Sequence, residues 1–113
     1  MKRIFQMYLD GDKIYACAKC HAHLALHDDI ISKAFQGRHG RAILFDSVYN
    51  VTPGQKEERV LMTGRHTVAD VRCTVCQTTV GWYYYRAAET AQRYKEGKYA
   101  IERARISKDH QWS

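Results

Sequence analysis

The chain has 113 residues, 45% of them hydrophobic and 27% charged, with one proline and a formal net charge of +6. That length leaves no room for two cores of ordinary size, so one domain is expected over residues 1–113. No stretch is long or apolar enough to span a bilayer, and the basic residues are scattered as on a solvated face, which permits an acidic or nucleic-acid partner without requiring one.

In chain order, the N-terminus from Met1 to Asp10 has the charge of a signal peptide's start but lacks its apolar run and cleavage site. An intracellular, reducing compartment is expected, where paired cysteines bind metal more often than they form disulfides. Ile4 to Leu9 is a short mixed segment, ended by the turn signal Asp10-Gly11-Asp12. Lys13 to Ala18 reads as a strand, and His21 to His27 as its returning arm. Asp28-Asp29 is placed to cap one helical turn through Ile30 and Ile31. Gln36 to Arg41 reads as a glycine-bearing loop, followed by strand material at Ala42–Phe45 and Val48–Val51. Thr52-Pro53-Gly54-Gln55 has the composition of a turn. Asn50-Val51-Thr52 fits a glycosylation sequon, expected to be idle because Pro53 follows it and no secretory signal is present.

Further strands are expected at Arg59–Thr63, His66–Cys73 and Thr78–Tyr85, the last rich in β-branched and aromatic residues. Ala87 to Glu96 is the best helix candidate, closed by Gly97, and Lys98 to Ile106 reads as a final strand. Short strands separated by turns, with little helix, point to a mainly β fold of antiparallel sheets.

The sharpest chemical signal is a pair of matching pieces, Cys17-Ala18-Lys19-Cys20 and Cys73-Thr74-Val75-Cys76, which together hold all four cysteines. A CxxC brings two sulfurs to the mouth of one tight turn, and two such pairs complete the thiolate tetrahedron that zinc prefers. Each lies between two strands, at a hairpin tip, so the metal would tie two distant parts of the chain. A redox dithiol is the competing reading, but two pairs with no thiol left over favour one structural Zn2+. Cys17 to His21 also matches the CxxCH pattern of haem attachment, which would leave the second pair unexplained. His21 and His23 are expected beside the site or on the surface rather than on the metal. Four thiolates and Zn2+ would bring the net charge down to about +4.

Catalysis is not expected. Four thiolates close the coordination sphere, no cysteine remains as a nucleophile, and no glycine-rich phosphate loop or arranged triad is visible. The remaining unusual stretch is Gly81-Trp82-Tyr83-Tyr84-Tyr85. On a strand, Trp82 and Tyr84 share one face while Tyr83 and Tyr85 share the other. One face is expected in the core, and the other can form a wall for a flat or cationic ligand. Trp82 and Tyr84, with His66, are the candidate ligand-binding residues.

Taken together, the residues run Cys17-x2-Cys20-x19-Gly40-x3-Leu44-x5-Asn50-x13-Gly64-x8-Cys73-x2-Cys76-x4-Gly81-Trp82-x-Tyr84-x10-Lys95-x6-Glu102. This pattern resembles the Yippee family signature over nearly the full chain, and stretches such as Glu57–Gly64 and Tyr94–Gly97 add to the match. The resemblance implies a beta-tent fold: two roughly orthogonal antiparallel sheets pinned by one zinc on Cys17, Cys20, Cys73 and Cys76. The family is similar in fold to the drug-binding domain of cereblon, to a centromere-priming family and to methionine-R-sulfoxide reductases. The reductases need a cysteine outside the zinc set, which this chain lacks. Of the cereblon cage of three tryptophans and a further aromatic, only the last two members match, as Trp82 and Tyr84; Val51 to Arg65 supplies no aromatic. The resemblance further implies a non-catalytic interaction or adaptor module in nucleus and cytoplasm, associated with cell division, growth control or a ubiquitin-ligase complex. The alternatives are a reader of a small ligand or modified peptide at Trp82 and Tyr84, and nucleic-acid binding through the basic surface.

Overall fold

The computed structural model describes residues 6–109 and arranges them as ten strands in two antiparallel sheets. The smaller sheet has three strands, in the order β10 (Ile106–Asp109), β1 (Ile14–Cys17), β2 (His23–Leu26). The larger has seven. Its main path is β3 (Ile30–Gly37), β4 (Gly40–Phe45), β9 (Tyr99–Glu102), β8 (Thr79–Ala87), β7 (Gly64–Cys73) and β5 (Val51–Pro53), with β6 (Glu57–Leu61) paired to the other half of the same edge of β7.

The chain passes between the sheets through tight 3-10 turns. One, His27–Asp29, carries β2 into β3; another, Arg103–Arg105, carries β9 into β10. The expected closing strand from Lys98 to Ile106 is therefore two strands in different sheets. The helical turn expected at Asp28–Ile31 is only the 3-10 turn, and the chain runs straight on into β3. That strand escapes a periodicity reading because it is an edge, polar at Ser32, Lys33 and Gln36, with register shifts on either side of Ser32. The helix expected from Ala87 to Glu96 is a 3-10 turn at Thr90–Lys95, while Ala87 still belongs to β8. Its residues give no continuous apolar stripe, so the segment folds against β8 instead. Glu96 Oε2 accepts the Ala87 N–H at 2.9 Å, and the Gly97 N–H donates to the Tyr84 carbonyl at 2.9 Å. Thr52 and Pro53 end β5 rather than forming the turn, a position open to proline because β5 is an edge strand.

Alternation along the larger sheet gives it two different faces. Ile43, Phe45, Val71, Val80 and Ile101 pack with Tyr15, Leu24 and Ala25 of the smaller sheet, forming the core between the sheets. Leu44, Val68, Tyr84 and Ala100 form a second apolar layer on the opposite face, with Phe35, Leu61 and Trp82 against it. Gly81 makes the close approach of β8 and β9 possible: a Cβ there would sit 2.0 Å from the Ala100 carbonyl oxygen. Asn50 ties loops to both sheets. Its φ of 58° is one that asparagine tolerates. Its amide donates to the carbonyls of Met7 (2.9 Å) and His23 (2.7 Å), and its Oδ1 accepts the Met7 N–H at 2.8 Å. The sequon amide is thus engaged within the fold.

A closed four-cysteine centre and a separate aromatic cleft

The two CxxC pieces fold as copies of one knuckle, each built by the strand that ends at its first cysteine. In the first, the Cys17 carbonyl accepts the His21 N–H at 2.8 Å and the Cys17 N–H donates to Ala22 at 2.8 Å. In the second, Cys73 makes the same pair with Gln77 and Thr78, again at 2.8 Å. His21 and Gln77 take the same left-handed conformation, φ 66° and 65°. Each knuckle is also held from outside. The N–H of Ala18 donates to Arg105 at 2.9 Å, and that of Thr74 to Asn50 at 2.8 Å. β1 delivers one knuckle from the smaller sheet and β7 the other from the larger.

All four sulfurs lie within 4.8 Å of one another. Cys17 Sγ is 3.7 Å from Cys76 Sγ, and Cys20 Sγ is 3.5 Å from Cys73 Sγ. A tetrahedron of thiolates around zinc, with Zn–S near 2.3 Å, has edges of about 3.8 Å. The spacing fits that metal and is far too long for disulfides, which need about 2.05 Å. Cys17 and Cys73 are buried, and Cys20 and Cys76 partly so. Burial pushes the Cys20 thiol up to about 12 and raises Cys73 as well. Burial acts the same way on Cys76, but its hydrogen bonding with Thr78, whose Oγ1 is 3.2 Å from Sγ, and with Cys17 and Cys20 together outweighs it and brings that thiol down to about 6. A resident Zn2+ would hold all four deprotonated and leave no coordination position for a reactive water.

The neighbouring histidines take other roles. His21 is exposed at the knuckle. His23 accepts the Leu9 N–H on Nδ1 at 3.0 Å and places Nε2 3.1 Å from Asp109, which links β2 to β10.

Trp82 and Tyr84 lie elsewhere, on the outer face of the larger sheet, where they line a cleft of about 720 Å3. Their rings meet edge to face, with centroids 6.3 Å apart. Tyr83 turns to the inter-sheet core and packs on Tyr99 with centroids 4.7 Å apart, as the alternation requires. Both outer strands, β3 and β6, contribute lining residues, so the sheet curls around the cavity. His66 is buried behind this wall, its ring centroid 5.5 Å from that of Tyr84 and its Nδ1 2.9 Å from the Gly64 carbonyl.

Sequence reasoning did not anticipate the other walls. Phe35 comes from β3, Leu61 from β6, and Tyr94 and Lys95 from the 3-10 turn after β8. Glu102, at the end of β9, accepts the His39 N–H at 2.8 Å. Lys95 and Glu102 are charged residues of the signature pattern that become almost wholly buried, and that pairing of fixed position with charge was the available signal. Gly37 lets this corner close, since a Cβ there would lie 2.9 Å from Glu102 Oε2 and 3.1 Å from the Trp82 ring.

Two antiparallel sheets joined by a closed tetrathiolate centre define a small β protein of the structural zinc-binding class. The family model described as "Yippee zinc-binding/DNA-binding /Mis18, centromere assembly" matches residues 13–113, and the chain belongs to that family. It is 58% identical to human Protein yippee-like 3 over 111 residues, covering 97% of this chain and 93% of the relative. It is 54% identical to Protein yippee-like 4 of Mus musculus, covering 97% and 87%. The crystal structure of the Mis18 'Yippee-like' domain superposes with a TM-score of 0.69, over 89% of this chain and 98% of that one; at 12% identity this is a likeness of fold.

Proposed function

We propose that this chain is a non-catalytic, zinc-stabilised interaction module that holds a segment of a partner protein in the cleft lined by Trp82 and Tyr84. The observation that carries this reading is the cleft itself, about 720 Å3 and set on the opposite face of the larger sheet from the inter-sheet core. Its surroundings support a macromolecular occupant. Val60, Met62 and Tyr94 are among its lining residues and are 80%, 100% and 53% exposed, and clustered exposed apolar residues mark contact surfaces. The closed thiolate centre fits a part that holds the sheets together while the contact is made elsewhere. The zinc ligands in this reading are Cys17, Cys20, Cys73 and Cys76, within one domain spanning residues 1–113.

The family resemblance suggests the setting: complexes of cell division, growth control or ubiquitin ligation, in nucleus and cytoplasm. The centromere assembly attributed to Mis18 belongs to that same range. The test compares the wild type with Met62→Asp for proteins retained from cell extract, measured by quantitative mass spectrometry, with zinc content checked in both. A defined partner lost in Met62→Asp at unchanged zinc content is the expected result. A partner held equally by both would move the interface away from the cleft, and no specific partner would remove the reading.

A further inference from the structure

The cleft is rich in donors and short of free acceptors. Lys95 is only 3% exposed, yet its Nζ has a single hydrogen-bond partner among the described residues, Thr63 Oγ1 at 2.9 Å, and no carboxylate within ion-pairing distance. An ammonium carries three donors, so most of its capacity is unspent. The rings of Phe35, Tyr84 and Tyr94 surround it, with centroids 5.2, 5.5 and 5.9 Å away. Those contacts lie within cation–π range but do not replace a counter-ion. Trp82 adds a second donor. Its Nε1 is buried with no hydrogen-bond partner of good geometry among the described residues, although it lies near enough to the Tyr84 hydroxyl to oppose the rise that burial gives that group's pKa.

Both acidic side chains of the lining already have partners of their own. Asp70 Oδ1 is held by Arg59 at 3.0 Å. Glu102 accepts the His39 N–H and lies 3.3 Å from His39 Nδ1. Arg38 and Arg59 also line the cavity. An aromatic cage by itself suits a ligand cation, but here the cation's place is filled by the chain's own ammonium. The polarity of the site is therefore reversed.

We propose that the cleft binds a carboxylate-bearing segment of a partner protein, an Asp or Glu side chain with apolar neighbours, the acid meeting Lys95 and the neighbours packing on Phe35 and Leu61. This rests on the cleft being the docking surface. A peptide segment is the occupant that fits: among the described residues β3 and β6 are each paired on one side only, and exposed Val60 and Met62 offer apolar contact beyond the acid. Burial also depresses the Lys95 pKa, the response of an ammonium without a counter-ion, and a bound carboxylate would restore it.

The test uses the 15N-labelled, zinc-loaded full chain carrying Trp112→Phe, so that Trp82 gives the single indole N–H signal. It is titrated with acetyl-Leu-Glu-Leu-amide and with the same peptide carrying Gln or Lys in place of Glu. The Glu peptide is expected to move the Trp82 signal with a Kd at least tenfold below that of the Gln peptide, and the Lys peptide to bind no better than Gln. Lys95→Met should abolish the Glu–Gln difference while zinc content and the β signal in circular dichroism stay unchanged. If that variant does not fold, the wild-type series decides alone. Equal binding of the Gln or Lys peptide overturns the acid preference and leaves the docking surface standing. No response to any of the three peptides counts against both.

Discussion

The four-cysteine centre and the cleft both draw on β7 and on the chain that leads from it into β8, yet they are built on opposite rules. In the centre the backbone hydrogen bonds of one knuckle have their counterparts in the other, the sulfurs face inward, and a metal would complete the set. In the cleft, residues from β3, β6, β7, β8, β9 and a 3-10 turn meet without symmetry, and Lys95 and Trp82 keep donors in reserve. A polar group buried without partners costs about 1–3 kcal/mol, more if charged. A fold that pairs the backbone groups of its knuckles and keeps spare donors in its cleft separates what holds it together from what is available for contact.

The largest expected effect breaks the first side of that contrast. Removing zinc with a strong chelator, or replacing Cys73 with Ser, should forfeit binding energy of about 10–16 kcal/mol that is folding energy in a small domain. Circular dichroism should then lose its β signal, and metal analysis of the intact chain should find one zinc per molecule. A chain that kept its sheets without metal would show that the centre is not what joins them.

Next in size is Asn50→Ala, which removes three side-chain hydrogen bonds and leaves a left-handed φ that alanine disfavours. A loss of about 2–3 kcal/mol is expected, read as a lower urea midpoint. Because Asn50 also supports the second knuckle through its carbonyl, zinc affinity should fall with it. Gly37→Ala sharpens the contrast from the other side. Its Cβ would press on Glu102 and Trp82, so about 1–3 kcal/mol of overpacking strain is expected. Trp82 fluorescence should shift, while zinc affinity holds.

The smallest effect is in pH. Burial, the leading cause at each, raises the pKa of Tyr15, Tyr84 and Tyr99 above the usual 10.0. Unfolded tyrosines lose protons first, so above pH 10 the unfolded state binds fewer protons than the folded one and stability falls as pH rises. Lys95 acts in the opposite sense, because its depressed pKa lets the folded state release a proton below 10.5, where the unfolded lysine still holds one. Urea midpoints between pH 8 and 11 should therefore decline in the wild type and decline more steeply in Lys95→Met.

The metal centre was legible in the sequence because its chemistry is local. A CxxC turn brings its two sulfurs together whatever the rest of the chain does, and two turns with four cysteines leave one arrangement of the ligands. The face split of Trp82 and Tyr84 from Tyr83 was legible for the same reason, since alternation is a property of any strand. The mainly β class followed from turn spacing and β-branched content. β3 was not legible, because a polar edge strand with shifted register carries no period to read. The segment after β8 reads as a helix because composition does not distinguish one turn from three. The cleft's other walls, Phe35, Tyr94, Lys95 and Glu102, come from β3, the 3-10 turn and β9, and nothing in their spacing says they meet. That was decided by tertiary structure alone: Gly81 lets β8 and β9 close up, the sheet curls, and the turn after β8 folds Lys95 inward among aromatic rings. Sequence determined how the molecule is tied. Packing decided which charged groups were left buried with capacity to spare.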